Sequence, residues 1–122
     1  MKKIILSSLL LICGFTHASD NNCARISKDI ERNIKQVAVY EALGIKYAIK
    51  TGNMRYMDRN KPQIDSLKEE NRMLLQQSSS LKCKPYSGDL TGKSYKDFAK
   101  ACVDVEESDP QKEKICNFDT WK

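Results

Sequence analysis

The sequence predicts an all-α protein: a long antiparallel helical hairpin with a smaller, disulfide-pinned helical segment after it. Three observations lead there. Apolar residues recur three or four apart through two long stretches, which is the helical period. Glycine and proline are sparse, 5 and 3 in 122 residues, whereas a sandwich of short strands needs turn residues about every ten positions. Four cysteines, Cys23, Cys83, Cys102 and Cys116, follow an N-terminal leader, and an even set in a small exported chain reads as a disulfide framework.

The leader consists of Lys2 and Lys3, an apolar run from Ile4 to Ile12, and the exit Gly14-Phe15-Thr16-His17-Ala18. A basic start, a short apolar run and small residues before a cut make a secretory signal peptide. Residues 1–18 are therefore expected to be removed after Ala18, leaving a single helical domain over residues 19–122. The run is too short to span a bilayer, and no other stretch is long and apolar enough. The protein is expected to be periplasmic or secreted and not a transmembrane protein. Cys13 sits where a lipidated cysteine would, but Ile12 before it is branched rather than small, so Cys13 is read as discarded with the leader.

Export changes the inventory. His17 is the only histidine, and its loss removes Ser-His-Asp and Cys-His catalysis and every zinc site that uses imidazole. Two of the 21 basic residues go with the leader, leaving 19 against 16 acidic ones, a net charge of +3. That mild excess implies no nucleic-acid binding. A mature chain of this size is near the limit where covalent staples matter.

The first helix is expected over residues 24–50. Ile26, Ile30, Ile34, Val37, Tyr40, Leu43 and Tyr47 line one face, and Ile45, Ala48 and Ile49 widen the apolar surface towards the C-terminal end. Gly52 suits the left-handed residue that ends a helix, and Asn53 suits the cap of the next. A second periodic segment runs over residues 54–81, completing a hairpin over 24–82. From Ile64 it follows a seven-residue, coiled-coil spacing: Ile64, Leu67, Asn71, Leu74, Ser78, Leu81. Asn71 and Ser78 interrupt the seam with polar groups of the kind that fix register. Pro62 lacks the helical donor, so the segment is expected to be one kinked helix rather than two pieces.

Cys23 lies 29 residues before Gly52 and Cys83 lies 31 after it. In an antiparallel hairpin of equal rise the two meet side by side, which predicts a Cys23–Cys83 clamp among the three connectivities open to four cysteines. Residues 83–92, with one proline and two glycines, read as a loop. A helical tail over 93–122 begins with Ser94 as its cap. Tyr95, Phe98, Ala99, Cys102 and Val103 share a face, Pro110 breaks the helix, and a Cys102–Cys116 bridge pins the end back.

Nothing in the chain assembles a catalytic group. Glu69-Glu70 and Glu106-Glu107 are neighbours on helices and diverge by about 100°, so neither pair faces across a cleft. No C-x-x-C, zinc spacing, phosphate-binding loop or calcium loop occurs. The expectation is a non-enzyme with no cofactor and no metal. A contact surface is easier to place. Residues 44–62 carry Lys46, Lys50, Arg55, Arg59 and Lys61 against Asp58 alone, interleaved with Tyr47, Met54, Tyr56 and Met57. Arginine among aromatic and methionine side chains matches the make-up of interface centres. Lys46, Tyr47, Lys50, Arg55, Tyr56, Met57 and Arg59 are thus the candidate partner-binding residues, although Tyr47, Met54 and Met57 also suit simple packing between the helices. The expected partner is an acidic protein, with the chain as adaptor, assembly factor or inhibitor. An anionic envelope surface, lipid or polysaccharide, is the alternative. The tail from Val103 onward is net −3, so the molecule has a basic end and an acidic end.

Overall fold

A computed structural model describes the backbone of residues 2–122 and the side chains of residues 21–122. The leader, its cut after Ala18, Cys13 and His17 lie outside the residues whose side chains are described. The fold is all-α. Helix α1 (Lys2–Thr51) packs antiparallel against α2 (Lys61–Ser80), and α3 (Lys96–Asp104) and α4 (Lys112–Ile115) follow, with short 3-10 turns at Met54–Asp58, Lys93–Tyr95 and Phe118–Thr120. Because α3 also lies along α1, α1 is the spine to which the other elements attach.

The first half of the expected apolar face of α1 forms the core, with Ala38 continuing it in place of Val37, Tyr40, Leu43 and Tyr47. Ile26, Ile30, Ile34 and Ala38 are buried, and Leu74 and Leu81 of the second arm, with Tyr95, Ala99, Cys102 and Trp121 of the tail, close over them. The polar seam position is confirmed in detail. Asn71 is buried and accepts from Asn33 Nδ2 at 3.0 Å, while its own amide nitrogen donates to the Ile30 carbonyl at 3.4 Å. Both ends of the Asn71 amide thus find partners on α1, which sets the register of α2 on it.

The turn between the arms departs from one expectation. Gly52 takes the left-handed conformation (φ 70°) and Asn53 Oδ1 accepts from the Arg55 backbone N–H at 3.0 Å, as read from the sequence. The second arm, however, is not one kinked helix. The 3-10 turn Met54–Asp58 ends first, and α2 starts afresh with Pro62 in its first turn. There the missing donor costs nothing, since the first N–H groups of a helix have no internal acceptor. Gly44 makes the fold-back close: a Cβ on it would lie 3.2 Å from the Met57 Cα and from the Tyr56 and Met57 carbonyl oxygens.

At the other end of the hairpin α2 stops in a Schellman motif, with Cys83 N–H bonded to the Ser78 carbonyl and Lys82 N–H to that of Ser79. Lys82 occupies the left-handed position (φ 58°) where glycine is usual, a strain of about 1 kcal/mol. The reversal aims Cys83 back at α1, and the Cys23–Cys83 disulfide closes there with Cα atoms 5.6 Å apart. The Cys102–Cys116 bridge is present too, across 4.9 Å.

The tail seats an aromatic cluster against the middle of the α1 arm, beside Lys35. Trp121 is 1% exposed, stacked on Phe98 at 5.8 Å and met edge-on by Phe118 at 4.9 Å, and its indole N–H donates to the Ile115 carbonyl at 2.9 Å. Lys35, buried on α1, donates to the Phe118 carbonyl at 2.7 Å and pairs with Glu31 at 3.1 Å. Its ammonium also lies 5.2 Å from the centre of the Tyr95 ring. Ser94 does not cap the tail helix. Asp89 instead braces the 3-10 turn ahead of α3 from the loop, accepting from the Thr91 hydroxyl and the Thr91 and Ser94 backbone N–H groups, which hold its carboxyl below the usual range. Nearby, burial above all, with the carboxylates of Glu31 and Asp89 and the ionising Tyr95 hydroxyl adding to it, pushes the Tyr86 hydroxyl up to about 12.

Candidate functional site

The hairpin tip and the side of α1 leading to it form the exposed apolar end of the molecule. Of the seven large hydrophobic residues exposed among the described side chains, five lie between Ile45 and Met57: Ile45, Tyr47, Ile49, Met54 and Met57. Ile49 is 77% exposed and Met54 68%. Scattered exposed apolar residues are ordinary, whereas a cluster at one end marks a contact surface.

The predicted contact residues do not all serve one surface. Tyr47 and Tyr56 face each other across the turn with ring centres 6.3 Å apart, and the Arg59 guanidinium lies 5.5 Å from the centre of the Tyr47 ring. That arrangement packs the turn on α1 and holds Arg59 by a cation–π contact, so these three residues are partly structural. Met57 remains 43% exposed beside them. Arg55 and Lys50 are exposed, and neither joins an ion pair among the described residues. Lys46 has a different task. Its ammonium donates to the Val103 carbonyl at 2.5 Å, covering a free carbonyl of the last turn of α3. Lys112 covers the Cys102 and Val105 carbonyls in the same way, at 3.2 and 3.1 Å. Two lysines from elsewhere in the chain therefore cap α3.

Lys46 also marks the edge of a feature that the sequence reading did not assemble. Between the second half of α1 and α3 runs a groove of about 710 Å³. Ala38, Ala42, Ile45 and Ile49 supply its floor from α1, at the spacing of one helical stripe, and Val103 supplies it from α3. Lys46 and Lys50 stand on one rim, and Lys93, Lys96 and Lys100 on the other. Glu41, Asp97 and Asp104 are the acids of the lining, and Asp104 is already paired with Lys100 at 3.2 Å. The signal for the far rim was present in the sequence as Lys93, Lys96 and Lys100, three and four apart, but only the placement of α3 along α1, with Gly92 beside Ile34 and Val103 beside Lys46, turns it into the wall of a groove.

Among the described residues no group of His, Cys, Asp or Glu is placed to hold a metal ion, and no helix is long and apolar enough to cross a membrane. The two disulfides fit an oxidising compartment outside the cytoplasm. Comparison with protein-family models, curated proteins and solved structures finds no match to this chain.

Proposed function

We propose that this is a non-catalytic protein-binding module, exported to the periplasm or beyond, that works as an adaptor, assembly factor or inhibitor by docking its hairpin tip on an acidic protein. The observation that supports this reading is the gathering of exposed Ile49, Met54 and Met57 with unpaired Lys50 and Arg55 at one end of a disulfide-clamped scaffold. Apolar area supplies affinity and the cations steer a partner of opposite charge. The second reading, an anionic envelope surface, rests on the same cations.

Chemical cross-linking in the protein's own host envelope separates them, with wild type run beside a Lys50→Glu, Arg55→Glu, Arg59→Glu variant. One stoichiometric protein partner, lost in the variant, is the expected result. Wild type found only in the membrane or glycan fraction, released steeply by salt, would give the site to the surface reading. Equal recovery of one partner from both would remove the tip from the contact.

A further inference from the structure

The groove between α1 and α3 differs from the tip in shape and carries a more specific inference. Its floor is a single stripe of α1, with Ala38 and Ala42 four residues apart and Ile45 and Ile49 continuing the same face towards the turn. From Ala38 to Lys50 that stripe is about 18 Å long at 1.5 Å per residue, the length of a three-turn helix. Small residues at one end let another backbone approach closely, and isoleucines at the other offer ridges to pack on. The groove is open along one side, and Ile49 at its end is 77% exposed. An acyl chain in such a channel would leave one flank in water, because it has no polar face. An amphipathic helix has one. Its apolar stripe fills the floor and its outer face stays wet, which is the helix-in-groove mode of recognition.

The rim fixes the charge. Lys100 is paired with Asp104 and Lys46 is committed to the Val103 carbonyl, while Lys50, Lys93 and Lys96, and the acids Glu41 and Asp97, form no ion pair among the described residues. Five lysines against three acids leave the lining net positive, with Lys93 and Lys96 at the end where Gly92 meets Ile34 and Lys50 at the other, so an occupant meets positive charge at both ends. We propose that the α1–α3 groove seats an amphipathic helix of a partner protein, about three turns long, with carboxylates flanking its apolar stripe. The proposal rests on the protein-binding reading above and names the partner's element. An incoming helix completes a bundle in which α1 is flanked by α2, α3 and the guest.

The test uses the oxidised full chain, labelled with ¹⁵N, and synthetic 14-residue peptides in place of a natural partner. One peptide has leucines at helical spacing flanked by glutamates, a second has lysines in place of the glutamates, and a third scrambles the first. The glutamate peptide is expected to shift the amides of Ala42, Ile45, Ile49, Lys96 and Val103 saturably, with at least tenfold tighter binding than either control. A Lys50→Glu, Lys93→Glu, Lys96→Glu variant changes exposed side chains only and is expected to reverse the preference in favour of the lysine peptide. Shifts confined to Tyr56 and Met57 would overturn the proposal, and so would equal binding of the scrambled peptide or an unchanged preference in the variant. Vesicles of phosphatidylglycerol in phosphatidylcholine that moved the groove amides when the glutamate peptide did not would assign the groove to lipid. A partner cross-linked through the tip, together with a silent groove, would remove this proposal and leave the protein-binding reading standing.

Discussion

At the clamped end of the hairpin the Cys23–Cys83 disulfide and the Schellman reversal hold the two arms together, and midway along α1 the Phe98–Phe118–Trp121 cluster ties down the tail. The tip has no covalent tie, and its turn Met54–Asp58 contains no buried residue. It keeps its shape through Gly44, the Asn53 cap and the Tyr47–Tyr56–Arg59 contacts. Stability and contact are thus allotted to opposite ends of one long helix. Side chains at the tip are free to vary with a partner at little cost to the fold, whereas those around Trp121 are not.

The largest test of that division is removal of the clamp. A Cys23→Ser, Cys83→Ser variant is expected to lose about 4 kcal/mol of stability on the chain-entropy model for a loop of this size, measured by urea unfolding with circular dichroism. A loss below about 1 kcal/mol, outside that model's expectation, would mean that the clamped end does not carry the fold. A smaller effect belongs to alkaline pH. The Tyr86 hydroxyl, raised to about 12 chiefly by burial, keeps its proton in the folded state after the unfolded state has lost it near pH 10. Its contribution is therefore complete below pH 10 and is lost as pH rises to 12. Tyr86→Phe should flatten the fall in thermal midpoint across that window, and an unchanged slope would remove Tyr86 from it. The smallest global effect is expected at the tip. Gly44→Ala adds a methyl 3.2 Å from the backbone of Met57, while alanine gains up to about 1 kcal/mol in helix propensity. Overall stability should hardly move, but amide exchange at Tyr56 and Arg59, whose N–H groups bond within the turn, should quicken. A global loss of several kcal/mol would place the tip in the fold's foundations and undo the comparison.

Most of the hairpin was legible because it is written in spacing. The isoleucine stripe, the turn at Gly52 and Asn53, the polar seam at Asn71 and the counting of cysteines about the turn each depend on positions along one chain. What escaped depends on contacts between elements distant in sequence. Pro62 fits a kink or a fresh start equally well until the fold-back over Gly44 uses up the residues before it. Ser94 caps nothing and instead gives its N–H to Asp89 because the loop curls back, and the reversal at Lys82 lacks the glycine that would announce it. The candidate contact residues gather around the tip, but Lys46 is tied to Val103, and Tyr47, Tyr56 and Arg59 partly to one another. The groove was invisible for a plain reason: its two walls are more than forty residues apart, and only Ile45 and Ile49 hinted that α1 had apolar surface to spare.

The seat of Trp121 has a practical consequence. It is the only tryptophan, so near-ultraviolet excitation at its red edge lights one spot on the molecule, inside the tail cluster and stacked on the helix that walls the groove. Its emission reports whether the tail is docked, and a ligand confined to the tip should leave the spectrum untouched. Emission that moved when the groove filled would report the event through α3, and the native chain would signal it without any attached dye.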